Sequence, residues 1–126
     1  TEISQQMSSA ATGIHIWGGE TAVTLPKNPG RGGRNQHFAL VAAKVLAGQD
    51  DVVLLAAGTD GTDGPTEDAG GIVDGSSAAR GQQLGLDLEQ YLVQADAGNC
   101  LEALGDLVTT GPTGTNVMDL VVALKR

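Results

Sequence analysis

The 126-residue chain has almost no aromatic side chains: Trp17, Phe38 and Tyr91 are the only three. Its core must therefore be aliphatic, with close backbone packing at some of its 19 glycines. Cys100 is the only cysteine. That excludes an internal disulfide, fits a reducing compartment and leaves no Cys/His cluster of zinc spacing. Seven bases stand against 15 acids, a net charge of −8, which disfavours non-specific binding to nucleic acid or to an anionic membrane. A phosphate ligand stays open, because backbone N–H groups, a few local bases or a metal can hold one in an acidic protein. No apolar run reaches transmembrane length and no signal peptide opens the chain. The length suits one domain. The chain starts at Thr1 and its first strand pattern sets in abruptly, so we expect it to be the end of something longer.

The stretch that organises the rest is Ala57-Gly58-Thr59-Asp60-Gly61-Thr62-Asp63-Gly64-Pro65-Thr66-Glu67-Asp68-Ala69-Gly70-Gly71. It follows Val52-Val53-Leu54-Leu55-Ala56, an apolar run that reads as a strand buried on both faces. Acids at the carboxyl end of such a strand sit where α/β domains bind ligands. Residues 1–12 read as a flexible or weakly helical lead-in, and residues 13–126 as the domain. Gly13–Trp17 reads as a strand with Thr21–Leu25 as its partner, joined across Gly18-Gly19 by a hairpin or a tight crossing. Phe38 to Gly48 has helical spacing, with Asn35 as N-cap and Gly48 as C′. Ile72–Gly75 is too short for an independent strand but can start one. Helices follow from Ser76 or Ser77, from Asp87 and from Asn99. Asp119–Leu124 closes the chain as a second doubly buried strand. A helix running straight into Val52–Ala56 is half of a βαβ unit. These elements predict an α/β fold: a single layered domain whose mixed, largely parallel sheet is flanked by helices, with Val52–Ala56 and Leu120–Leu124 central.

Three polar loops beside strands can carry chemistry. In Gly30-Arg31-Gly32-Gly33-Arg34-Asn35-Gln36 the glycines, the helix start and Arg34 suit an anion nest, although a plain solvated loop has the same composition. The spacing is neither a Walker A motif nor a dinucleotide fingerprint. Asp60 and Asp63, three apart across Gly61, can share a proton or a divalent cation, and Asp60 can take a proton from a hydroxyl. Glu67, Asp68 and Asp74 read as surface charge. Thr110-Gly111-Pro112-Thr113-Gly114-Thr115-Asn116 supplies neutral donors and acceptors that can orient a substrate. Cys100 reads as a packed thiol, and His15 as a strand histidine with no ligand.

Together with Gly18-Gly19-Glu20-Thr21, these loops closely resemble the carboxy-terminal (MOFRL) domain of the TtuD/GckA-type glycerate kinases, in order and at natural spacing from about Ile14 to Leu124. Members of that family often carry the competing label hydroxypyruvate reductase. The resemblance implies a two-domain enzyme that phosphorylates D-glycerate with ATP and Mg²⁺, its active site lying between this domain and an amino-terminal kinase domain. It places Arg34 on substrate carboxylate or phosphoryl group, Asp60 on the hydroxyl or the metal, and Asn116 on glycerate. Glu20, Gly32, Gly33, Thr113 and Thr115 join them as substrate- or phosphate-binding residues, and Asp63 joins Asp60 as a metal ligand. His37 stands where an acid is more usual. The same reading implies a cytoplasmic protein without nucleic-acid or membrane partners, with a homodimer left open. Two alternatives remain: an NAD(P)H-linked hydroxypyruvate reductase, for which no GxGxxG follows a strand, and a non-catalytic structural or oligomerisation module.

Overall fold

The computed structural model describes residues 2–7, 9–19 and 23–126. Strands β1 (Gly13–Gly19), β2 (Val52–Gly58), β3 (Gly70–Asp74), β4 (Leu107–Val108) and β5 (Asp119–Lys125) form one sheet in the order β1-β5-β2-β3-β4. The helices are α1 (Glu2–Met7), α2 (Arg34–Val45), α3 (Ser77–Gln83), α4 (Leu88–Val93) and α5 (Ala97–Leu104). None of them is long and apolar enough to cross a membrane.

The largely parallel sheet expected from the sequence does not form: every strand pairing is antiparallel. Parallel neighbours need a long crossover, usually a helix. The segment from β2 to β3, residues 59–69, carries no helix, so β3 folds straight back along β2. Helix α2 does join two strands of one direction, β1 and β2, but β5 lies between them and runs the other way. The βαβ unit exists in split form.

The apolar runs of β2 and β5 mark two of the three interior strands, yet they are not buried on both faces. On one face Val52, Leu54 and Ala56 of β2, Val121 and Ala123 of β5 and Val73 of β3 meet Leu40 of α2, Leu46 at the C-cap of α2, and Leu101 and Leu104 of α5 in a single core. On the other face Ile16, Val122, Leu55 and Ile72 lie opposite one another across four strands. Among the described residues no helix covers that row, and Ile16 keeps 64% of its surface in water. Sequence alone cannot separate a doubly covered strand from one with an apolar open face.

Gly71 lets the helix layer come close: a Cβ there would meet Leu101 Cδ1 at 2.8 Å and Ala39 Cβ at 3.0 Å. Several local readings need correction. Ile72–Asp74 does belong to a strand, but it ends β3, which begins at Gly70, and does not start one. The partner of β1 is β5; of the expected hairpin strand, Thr21 and Ala22 lie outside the described residues and 23–25 are not a strand. Helix α2 is capped by Gly33, with Asn35 inside its first turn, and α5 is capped by Asp96, with Asn99 inside it. Asp87 does cap α4, accepting the Gln90 N–H. The lead-in holds α1, whose Met7 reaches the core.

One-sided burial is directly testable. Leu101→Ala should cost about 3 kcal/mol through lost contacts and a cavity, whereas Ile16→Ala should cost under about 1 kcal/mol. Urea denaturation of both variants checks this; equal losses would show that the outer face is packed as tightly as the inner one.

Candidate active site

The carboxyl ends of β1 and β2 and the amino end of β5 share one edge of the sheet, where Gly19, Asp119 and Gly58 stand in a row. The first turn of α2 comes to the same edge. Its leading N–H groups, which have no partner inside the helix, are taken by Asp63. One carboxylate oxygen accepts the Asn35 N–H at 2.9 Å and Asn35 Nδ2 at 3.1 Å; the other accepts the Gln36 N–H at 2.7 Å. The anion at this positive helix end is thus the protein's own. Gly33 is required here, because a Cβ at that position would overlap Asp63. Burial pushes the Asp63 carboxyl above its ordinary range, opposed by the N–H groups of Asn35 and Gln36.

Arg34, next in the turn, reaches β5. Its Nε donates to Asp119 Oδ2 at 2.5 Å and its Nη2 to Oδ1 at 3.1 Å, a two-pronged ion pair. Beside it opens a polar cleft of about 320 Å³, lined by Arg34, Asp60, Thr62, Asn116, Met118 and Asp119. The structure therefore brings Arg34, Asp60 and Asn116 together from the first turn of α2 and two separate loops. Asp60 Oδ1 accepts the N–H and the hydroxyl of Thr62, both at 3.0 Å. These bonds, the N–H first, hold its carboxyl below the usual range and keep it ionised. Asn116 Oδ1 accepts the Met118 N–H at 3.0 Å, which commits the carboxamide oxygen to its own loop.

Other expected residues do not join this cleft. Asp63 is committed under α2, so Asp60 and Asp63 do not face one volume. Among the described residues no three His, Cys, Asp or Glu side chains gather as a metal site. The Thr113 hydroxyl is spent on the Thr59 carbonyl at 2.5 Å, fixing the 110–116 loop against the loop after β2; Thr115 lies in the same exposed loop. Gly32 and Gly33 line a neighbouring, mainly apolar cavity of about 290 Å³ with Val23, Pro65 and His37. Glu20 lies outside the described residues. Asp68, read as surface charge, is buried: it takes Arg31 Nη2 at 2.8 Å and the Thr109 hydroxyl at 2.7 Å. Sequence reasoning missed Asp119 altogether, although it is the one polar residue in the inward row Asp119, Val121, Ala123.

A family model described as the MOFRL family matches residues 13–119. The chain belongs to that family. The D-glycerate 2-kinase of Thermotoga maritima is 56% identical over 109 residues, covering 86% of this chain and 26% of that protein. The glycerate 2-kinase of Pyrococcus horikoshii is 43% identical over 111 residues, 88% of this chain and 25% of that protein. The crystal structure of a glycerate kinase from Thermotoga maritima superimposes with a TM-score of 0.94 at 47% identity, covering 99% of this chain and 32% of that one. This MOFRL chain thus spans about a quarter of the length of these two relatives.

Two outcomes follow from the geometry. Asp63→Ala leaves three donors of the first α2 turn without their acceptor and should cost about 3 kcal/mol, seen as a fall of roughly 10 °C in Tm; an unchanged Tm would remove Asp63 as the anchor. His37 is half-buried, its Nδ1 has no hydrogen bond among the described residues, and desolvation lowers its pKa. The unfolded chain then takes up the proton first, so stability is lost as pH falls below about 6.5. In His37→Gln the drop in Tm from pH 7 to pH 5 should be shallower; an identical drop would clear His37 of any part in it.

Proposed function

We propose that this chain is the carboxy-terminal domain of a glycerate 2-kinase, forming one wall of a cleft in which the γ-phosphoryl group of ATP passes to D-glycerate. The observation that carries the reading is the meeting of Arg34, Asp60 and Asn116 on one polar cleft. An arginine, an ionised carboxylate and an amide donor are a set suited to a small hydroxy acid and a phosphoryl group. The sequence similarity to glycerate kinases supports the choice of substrate.

Arg34 pairs with the substrate carboxylate or with the charge on the transferring phosphoryl group. Asn116 donates from its NH₂ to a glycerate oxygen and fixes which hydroxyl faces the phosphate. Asp60 fits hydroxyl orientation or cation binding better than proton abstraction, because a carboxyl held below its ordinary range is a weak base. The site's donor set fits Mg²⁺ in the manner usual for nucleotides, with one carboxylate, here Asp60, and the remaining positions left to phosphate oxygens and water. Such an ion supplies neutralisation of phosphate charge. The other wall falls to the amino-terminal domain of the whole polypeptide. Cys100 is a free, buried thiol whose pKa burial pushes up to about 11, which makes it a packed side chain and not a nucleophile.

The test is a coupled assay on the whole protein with D-glycerate, ATP and Mg²⁺, run beside hydroxypyruvate with NADH or NADPH. ADP and phosphoglycerate should form without nucleotide oxidation, and Arg34→Ala and Asp60→Asn should each lower kcat/KM by about 10²-fold or more. Turnover within a few-fold of the unsubstituted protein in both variants would sink these roles, and hydroxypyruvate-dependent oxidation without phosphoryl transfer would overturn the kinase reading.

A further inference from the structure

Asp119 is an odd residue for its place. It opens β5 at a position facing the helix layer, in register with the buried Val121 and Ala123, and only 4% of it meets water. A carboxylate so placed costs desolvation that an apolar side chain would avoid, and a buried ion pair is weak evidence of a stabilising purpose. What it does secure is geometry. Both oxygens engage Arg34 side-on, and Oδ1 also accepts Asn35 Nδ2 at 3.0 Å. The same Nδ2 donates to Asp63 at 3.1 Å, so one amide group ties two buried carboxylates together. Its neighbours in the row, Gly19 on β1 and Gly58 on β2, bring no side chain between Asp119 and the guanidinium.

We infer that Asp119 is a positioning residue: it fixes the Arg34 guanidinium in the cleft, and is itself held by the Asn35 bridge to Asp63. Arg34 is about one-third exposed. A long side chain with that much exposure samples many rotamers unless something holds it, and a displacement of about 1 Å at a substrate-binding group can cost about 10²-fold in rate. The Asp119 clamp holds the cation at both Nε and Nη2 before any ligand arrives. This inference rests on the kinase reading for its catalytic consequence, though not for the clamp itself.

The experiment is a double-mutant cycle on the whole protein with D-glycerate, ATP and Mg²⁺, combined with NMR of the Arg34 Nε–H group. Asp119→Asn should lower kcat/KM by about 10²-fold in the unsubstituted background and by less than about 2-fold in the Arg34→Ala background, because the effect passes through Arg34. Asp119→Glu, which keeps the charge, should recover part of the loss. The Arg34 Nε–H resonance, shifted and protected from solvent exchange by the Asp119 bond, should move to an exchanging, unshifted position in Asp119→Asn, while the Asn35 and Gln36 backbone N–H signals stay in place. Equal losses in both backgrounds would mean a general structural role and overturn the inference, as would an Arg34 resonance unchanged in Asp119→Asn. A protein that does not phosphorylate glycerate would overturn the kinase reading alone, with the NMR result still deciding the clamp.

Discussion

The buried Asp63 carboxylate at the start of α2 is the constraint on which the rest of this domain depends. A helix begins with N–H groups that must find acceptors, and burial makes their neglect expensive. Here the acceptor comes from the loop that follows β2, 27 and 28 positions further along the chain. Satisfying the helix therefore also fixes that loop. The loop cannot wander while Asp63 is held, and so Asp60, three residues earlier, is delivered to the edge of the sheet where Arg34 emerges. One ion–helix contact sets the relation between two of the three polar loops. The third is tied in separately, by Thr113 to the Thr59 carbonyl and by Thr59 to the Met118 carbonyl.

This explains why an acidic composition misleads when taken as surface charge. Asp63, Asp68, Asp106 and Asp119 are all buried, and each is bound from more than one side. Arg31 and Thr109 hold Asp68; Arg80 and Ser77 hold Asp106. With only three aromatic side chains and many glycines, the chain has few bulky groups to wedge its loops in place. Carboxylates that each accept several hydrogen bonds do that work, with the directional geometry that dispersion contacts lack. Four of the acids are thus interior anchors, and those left in water, Asp60 among them, are the ones available to a ligand.

Strand identity was legible in the chain where composition was extreme. The runs Val52–Ala56 and Asp119–Leu124 could only be interior strands, and they are. Strand direction was not legible, because it depends on where β5 inserts, a pairing between residues more than 60 positions apart that leaves no local mark. Nor was the open face. A continuous apolar run is written the same way whether two helix layers cover it or one, and Ile14 and Ile16 look in sequence like core residues. Local capping was read correctly at Asp87, where the acceptor sits in the helix's own sequence. It was misread at α2, where the capping acid arrives from another loop and Asn35 offered a plausible local substitute.

The candidate site followed the same division. Arg34, Asp60 and Asn116 could be picked out because each is a charged or amide group in a glycine-rich loop beside an apolar strand and stands in a motif of the family resemblance. Asp63, a side chain of the same kind, turned out to hold the fold. Their convergence came from tertiary structure. Asp119 escaped notice because it opens a strand, where an acid reads as an ordinary polar boundary. The usable signal was parity. Counting back by twos from Ala123 and Val121 puts Asp119 on the inward row, where a charge needs a partner, and the chain contains only seven bases that could serve. Applied to the strand ends of an aliphatic domain, that count separates acids that anchor a site from acids that merely solubilise a turn.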